Sequence, residues 1–371
     1  MHDVIIIGGG LAGLTNAVQL SSAGLRVLLI EKYIYPFHRV CGEYVSNEVK
    51  PFLKSIGAEV EELKPAHIDK LSVTSPYGTK LDASLDMGAF GISRYNFDLY
   101  LYNLAIAKGC TAKLNTQVQE VVFEENSFKV KLSDGTEALA ALVLGSFGKR
   151  SNLDRQLNRK FFYQRSPYIG VKYHIKTDFP RDHIALHNFK DGYCGVSAIE
   201  EDKYCFCYLT SRENLKQYGS IDEMEKNVLY KNPYLKNIFL NSDFLFEKPE
   251  VINEISFEKK TTVENHVLMS GDTAGMITPL CGNGMSMAIH SAKILSDCIL
   301  KHYQKNNFDR LKMETEYSQE WNNTFAKRLY IGRKIQQLFG QEFITEAVIR
   351  SLKILPPVTS WLVKQTHGKT F

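Results

Sequence analysis

The chain opens on apolar residues that run consecutively rather than alternate. Val4-Ile5-Ile6-Ile7 is the pattern of a strand buried on both faces of a parallel sheet. Leu11, Leu14 and Val18 then recur at helical spacing, and Gly24 can close that helix. Val27-Leu28-Leu29-Ile30 predicts a second buried strand, so residues 3–31 read as a βαβ unit. Farther on, Pro36 breaks regular structure, and Ser46-Asn47-Glu48 starts a helix carrying Val49, Phe52 and Leu53. The period then changes. Residues 71–75 and 79–82 alternate about a Pro76-Tyr77-Gly78 turn, predicting a β-hairpin that belongs to a different sheet. Ser93 begins a helix with Phe97, Leu101, Leu104 and Ala105 on one face, closed by Gly109.

Residues 117–123, 128–132 and 140–144 again read as strands, with a turn at Asp134-Gly135. From about Tyr168 to Phe257 the strands alternate without long helices between them, as in 168–175 and 203–209. This predicts an antiparallel sheet with one solvated face, relieved by a helix near 220–230. Residues 267–270 return to the buried-strand pattern, and beyond about Met285 the chain reads as helix to its end, apart from Pro356-Pro357. The fold class is therefore α/β: a Rossmann-type nucleotide-binding domain (1–70, 93–165 and 262–310), interrupted by an antiparallel β-sheet domain (71–92 and 166–261), with a helical C-terminal region (311–371). This discontinuity tells against a simple nicotinamide dehydrogenase with two sequential domains. It suits a large cofactor lying between the two parts.

Composition narrows the class. At 371 residues, 44% hydrophobic and 23% charged, this is the make-up of a soluble globular protein. A net charge of +4 does not imply nucleic acid. No uncharged apolar run spans a bilayer, and the motif at residue 3 leaves no room for a leader. Seven scattered cysteines argue against a disulfide framework and for a reduced, cytoplasmic setting. Cys205 and Cys207 share a strand face and, lacking a partner pair at metal-ligand spacing, read as packing residues; no metal site is expected.

The first candidate chemistry is the GxGxxG spacing of Gly8, Gly10 and Gly13, placed between strand and helix. Gly8 permits the tight turn, Gly10 lets backbone approach a pyrophosphate, and Gly13 allows close helix–strand packing. The helix start offers N–H groups and partial positive charge to phosphate, and Glu31 can accept from ribose hydroxyls. His38 and Arg39 can meet phosphate or simply be solvated, and Gly42 can bring backbone close to a ligand.

Three further segments extend this signal: Cys41-Gly42-Glu43 with Ser46, Arg94 with Phe97 and Asp98, and Gly271-Asp272-Thr273-Ala274-Gly275 followed by Pro279 and Gly282-Asn283-Gly284-Met285. Together with the first, they resemble the FAD-dependent para-hydroxybenzoate hydroxylase fold and, within it, the geranylgeranyl-reductase-like flavoproteins, over most of residues 3 to 300. The resemblance implies that Gly8, Gly10, Leu11, Ala12, Gly13, Glu31 and Lys32, with Arg39 and Val118, hold FAD. It implies that Cys41 and Gly42 lie beside the flavin, with Cys41 the candidate for chemistry there, and that Arg94 reaches the cofactor. It implies that Gly271 and Asp272 bind the ribityl chain, and that Gly282 to Met285 start a helix near the flavin pyrimidine. A helix N-terminus in that place stabilises negative charge on reduced flavin.

One motif departs. Where the family has aspartate-glycine after the strand ending near 145, this chain has Ser146-Phe147-Gly148 and Ser151. The resemblance then implies that FAD binding survives while direct reduction by NADPH or NADH is in question. The reaction reads as hydride transfer from reduced FAD to an alkene of an apolar lipid-like or polyketide-like substrate. The alternatives are a monooxygenase hydroxylating an aromatic ring, or a FAD-binding scaffold or electron carrier without turnover, recommended by Phe147 alone. A halogenase is a weaker variant, since Trp321 and Trp361 stand apart and the paired-tryptophan motif is missing. The implied partners are a small apolar substrate and a separate reductase or lipid carrier. The tail beyond Asn323 interleaves basic residues with Leu, Phe and Trp361, so it reads either as a structural cap or as a peripheral membrane contact.

Overall fold

In the computed structural model the initial apolar run forms strand His2–Ile7, which pairs in parallel with Val27–Ile30 on one side and Glu137–Gly145 on the other. The structure describes the whole chain except residues 165, 254, 277–281, 304–307, 339–340, 356, 360 and 363–367, and only the backbone of 335–338. The first, eight-stranded sheet runs Val263–Glu264, Val267–Met269, Glu137–Gly145, His2–Ile7, Val27–Ile30, Thr111–Lys113, with the hairpin of Val118–Glu124 and Ser127–Leu132 joined to Glu137–Gly145. Val4, Ile5 and Ile6 are fully buried, each side chain contributing about 1.5–3 kcal/mol by leaving water. Helix Leu11–Ser22 packs between helices Arg94–Ala107 and Gly284–His302, all over this sheet.

The second, nine-stranded sheet takes strands Tyr44–Ser46, Ala66–Thr74, Lys80–Gly91, Tyr168–Lys176, His183–Phe189, Gly192–Ala198 and Tyr204–Ser211, with two short strands at its edge. It is antiparallel except where His183–Phe189 pairs in parallel with Ala66–Thr74. The solvated face expected for it is not there: Tyr168–Lys176 and Tyr204–Ser211 are buried along almost their whole length. One face, with Val171, Tyr173, Phe206 and Tyr208, is covered by Met224, Val228, Leu235 and Ile238. These come from the expected helix, observed as Ile221–Val228, and from Pro233–Asn241, which the alternation did not reveal. Opposite pairs Lys172–Cys207 and His174–Cys205 share the other face, and that face lies against the Arg39–Glu43 loop.

Among the described residues beyond Gly284 the chain is not one helical run: it forms helices Gly284–His302, Arg310–Leu338 and Glu342–Ile354, with 357–359 and 361–362 also helical. The break expected at Pro356-Pro357 includes a residue outside the described set. The six described cysteines are free thiols.

Candidate functional site

Four motif segments leave the C-terminal ends of four neighbouring parallel strands: Gly8 after Ile7, Glu31 after Ile30, Ser146 after Gly145, and Gly271 just beyond Met269. This edge, where strand order reverses about His2–Ile7, is where open α/β sheets bind ligands.

The glycines divide by cause. Gly8 holds φ +99°, and a Cβ there would lie 2.4 Å from the Ser146 carbonyl oxygen. At Gly13 a Cβ would lie 2.0 Å from the Gly8 carbonyl oxygen, so helix and strand touch backbone to backbone. Gly10 and Gly42 differ. Neither has a positive φ; a Cβ at Gly10 meets nothing closer than the Arg94 guanidinium at 3.6 Å, and one at Gly42 meets nothing within 4 Å. Neither backbone nor packing demands glycine at these two positions, which fits a ligand lying against them.

Two helix starts point the same way. Helices following Ser93, Ser151, Ser211, Ser220 and Asn232 have their first N–H groups satisfied by those side chains. Among the described residues the helices starting after Gly10 and Asn283 have no side-chain cap, as is also true of Lys50–Ser55 and Glu342–Ile354; the first two begin beside the glycine motifs, where such a start can meet an anion. The helix that starts in the segment of Gly8, Gly10, Leu11, Ala12 and Gly13 packs against the one that Gly282, Asn283, Gly284 and Met285 begin. Gly282 holds φ +63°, and Asn283 donates from its amide to the buried Glu48 carboxylate at 3.2 Å. Pro279, cited in the same motif, lies outside the described residues.

Glu31 is buried and accepts from the Gly9 N–H at 2.7 Å and the Tyr33 N–H at 3.1 Å. Arg39 spans the crevice, reaching Glu31 at 3.2 Å and Asp98 at 3.1 Å while its guanidinium lies 4.3 Å from the Phe37 ring centre. Asp98 is also gripped by both forks of Arg94, at 2.7 and 2.8 Å. Arg39 is therefore held by two carboxylates rather than solvated. Lys32 is exposed beside the Tyr33 ring. Val118 is buried in the core, just after the Thr116 N–H that bonds the Glu31 carbonyl.

On the opposite wall, Asp272 makes no hydrogen bond through its carboxylate to a described residue, which leaves it available to a polyol. The Lys260 ammonium binds the carbonyls of Asp272 and Lys149, both at 2.8 Å. Burial lowers Lys260 to about 8 against the opposing pull of Asp272 and Asp154. Phe147 folds its ring over Gly145, where a Cβ would meet it at 2.9 Å, and Thr273 ties down Gly148. No carboxylate stands at position 147.

The feature that sequence reasoning missed surrounds Glu43. This residue has φ +53°, is fully buried, and accepts from Lys172 Nζ at 2.5 Å, His174 Nε2 at 2.6 Å and the Arg94 N–H at 2.8 Å. Burial by itself raises the Glu43 carboxyl; the Lys172 charge, then the hydrogen bond and charge of His174, outweigh it and hold the group at about 2. The same sheet face pins the loop's carbonyls: Lys172 donates to Arg39 O at 3.2 Å, Cys205 to Cys41 O at 3.2 Å, and Ser197 to Gly42 O at 3.3 Å. Cys205 is thus a loop anchor as well as a packing residue. Beside it, burial and the Lys172 and His174 charges lower His38 to about 4, and its ring stands edge-on to His174 at 5.2 Å. A signal existed in the sequence: Lys172 and His174 alternate with Ile and Val on a strand, and a buried cation requires an anion.

Other groupings lie apart from this edge. Cys298, His302 and Glu316 cluster with one another, but His302 and Lys301 already occupy the Glu316 carboxylate. A shallow 440 Å³ depression bounded by Val263, Glu314 and Asn322 contains none of the motif residues.

Fold and site together define a dinucleotide-binding flavoprotein, and the chain belongs to the FAD binding domain family, whose model matches residues 1–320. Digeranylgeranylglycerophospholipid reductase of Methanosarcina acetivorans is 24% identical over 341 residues, covering 87% of this chain and 81% of its own length. Conditioned medium factor receptor 1 of Dictyostelium discoideum is 22% identical over 422 aligned positions, covering 100% of this chain and 82% of its own. Among solved structures, the flavin-dependent brominase Bmp2 superposes with a TM-score of 0.81 at 18% identity, covering 100% of this chain and 94% of that one, a likeness of fold. The protein is an FAD-dependent oxidoreductase.

Proposed function

We propose that this oxidoreductase saturates a carbon–carbon double bond of an apolar, lipid-like substrate. The observation that carries this reading is the Cys41-Gly42-Glu43 loop. Its glycine is required by neither φ nor packing, its Cys41 and Gly42 carbonyls are drawn toward the second sheet by Cys205 and Ser197, and its Glu43 carboxylate by Lys172. A loop held this way presents a bare backbone to the cofactor from the side on which the second sheet would hold substrate. The reductase relative aligned over 87% of the chain supports the same chemistry.

Bound FAD, when reduced, supplies the hydride for one alkene carbon, and a proton completes the other. The chain's own contribution is placement. The helix after Gly10 would face the pyrophosphate, Glu31 would accept from the ribose, and the helix after Asn283 would offer partial positive charge to the flavin ring. Lys172 and His174 keep Glu43 ionised, and through it they fix Cys41 and Gly42.

The brominase neighbour raises a second reading, in which reduced flavin meets oxygen. Neither tryptophan adds to it: Trp321 is buried with its indole N–H on Ser291, and Trp361 is exposed on the outer surface. One experiment separates the readings. FAD-loaded protein reduced anaerobically with dithionite is offered a digeranylgeranylglycerophospholipid, and the product is weighed by mass spectrometry. A gain of H₂ per double bond is expected. Product that forms only in air, carrying oxygen or halogen, would replace the reductase reading.

A further inference from the structure

The loops that leave the neighbouring parallel strands Glu137–Gly145 and Val267–Met269 both edge the FAD crevice, and three buried side chains join them. Thr273 Oγ1 accepts from the Gly148 N–H at 2.9 Å and donates to the Gly148 carbonyl at 3.2 Å. Arg159, paired with Asp154 at 2.8 Å, donates to the carbonyls of Thr261 and Thr273, both at 2.9 Å. Lys260 completes the join. Its ammonium bridges the carbonyls of Lys149 and Asp272, one from each loop, and lies 4.3 Å from the Phe161 ring centre.

The two buried cations differ in what balances them. Arg159 has a carboxylate in direct contact, whereas Lys260 has carbonyl dipoles and a ring face and, among the described residues, no carboxylate ion-paired with it. Burial is the largest influence on Lys260 and brings it down to about 8; Asp272 and then Asp154 favour the ammonium, and Arg159 and Lys149 oppose it. A buried ammonium balanced this incompletely is favoured by any further anion brought close. The ligand of the crevice is such an anion, through its diphosphate. Loss of the proton would remove that attraction and weaken the charge-assisted bonds that hold both carbonyls.

We infer that Lys260 is a positioning residue for FAD, closing the loops of Gly148-Lys149 and Gly271–Thr273 around the cofactor in its charged form and releasing them in its neutral form. This goes beyond the redox reading and does not depend on it, since FAD is held whether the flavin reduces an alkene or meets oxygen. A ligand that favours the ammonium binds less tightly as the ammonium is lost, so FAD affinity falls as pH rises through about 8.

The test follows release of FAD from the full FAD-loaded chain on dilution, read by flavin fluorescence at constant ionic strength. From about pH 7 to about pH 9 the wild-type Kd is expected to rise about fivefold to tenfold. Lys260→Arg keeps its charge throughout, so its Kd should change by less than about twofold over the same range. Lys260→Met should bind FAD about tenfold more weakly than wild type at neutral pH and lose the pH dependence. Circular dichroism at each pH separates loss of the clasp from loss of the fold, and if Lys260→Met does not fold the Lys260→Arg profile decides. A wild-type Kd that stays flat overturns the inference, as does a Lys260→Arg protein whose Kd rises as steeply as wild type. Wild-type affinity in a folded Lys260→Met protein overturns it as well. Failure of the alkene-reduction reading would leave all of these titrations unchanged.

Discussion

The Glu43 carboxylate and the Lys172 ammonium meet at 2.5 Å with neither side chain exposed to solvent. One comes from a loop of the nucleotide-binding half and the other from a strand of the second sheet, so the pair ties the two parts together beside the cofactor edge. Removing one partner strands the other charge in a dry interior. Glu43→Gln is expected to cost about 3–5 kcal/mol in urea unfolding. Combined with Lys172→Met it should cost less than the sum, with a coupling energy above about 1 kcal/mol. Additive single effects would mean that the two groups act independently.

The same pair sets an acid limit. Glu43 is held at about 2, below its ordinary 4.5. Its contribution is therefore fully present above about pH 4.5 and is lost as pH falls through about 2, because the unfolded chain takes up the proton first. Stability measured between pH 5 and pH 3 should fall more steeply in the wild type than in a Glu43→Gln protein. Equal slopes would show that Glu43 does not titrate on unfolding in this range.

The glycines separate ligand contact from fold. Gly13→Ala forces backbone against backbone and should destabilise the apoprotein by at least about 2–3 kcal/mol. Gly10→Val and Gly42→Val should leave apoprotein stability within about 1 kcal/mol of wild type, while FAD retention falls sharply. A Gly10→Val protein that purifies fully yellow would remove the crevice from consideration as the FAD site.

Glu31→Ala removes the acceptor for the Gly9 and Tyr33 N–H groups as well as the one offered to ribose. FAD binding should weaken by about 1–3 kcal/mol, or roughly fivefold to more than a hundredfold in Kd. Glu31→Gln keeps an acceptor oxygen and should recover part of that loss in a fluorescence titration. Equal loss in both variants would assign the effect to charge.

Phe147 stands where the resemblance in sequence implies a carboxylate, and its ring is packed over Gly145. Stopped-flow mixing of the FAD-loaded protein with NADPH or NADH is expected to give little or no flavin bleaching, while dithionite reduces it fully. Rapid anaerobic bleaching by NADPH would show that the chain draws electrons directly from a nicotinamide donor.

The sequence by itself determined what is local or fixed by a single residue's geometry. The strand–glycine–helix–strand–acid order of residues 3–31 survives intact because each step depends on neighbours or on a conformation only glycine takes readily, as at Gly8. The helix start at Ser93 and the return strand ending before Gly271 were legible for the same reason. What only the tertiary structure decided is which surfaces meet. Alternation along Tyr168–Lys176 separates an apolar from a polar face, and solvent is the simplest partner for the polar one. Lys172 and His174 instead face Glu43, more than a hundred residues away in sequence. Nothing in a strand's period can distinguish water from a buried carboxylate, since both satisfy a cation. The helical tail shows the converse. Its periodicity was visible, but whether its apolar residues turn inward, as Ile349 does, or outward, as Ile354 does, depends on where the hairpin beneath it lies.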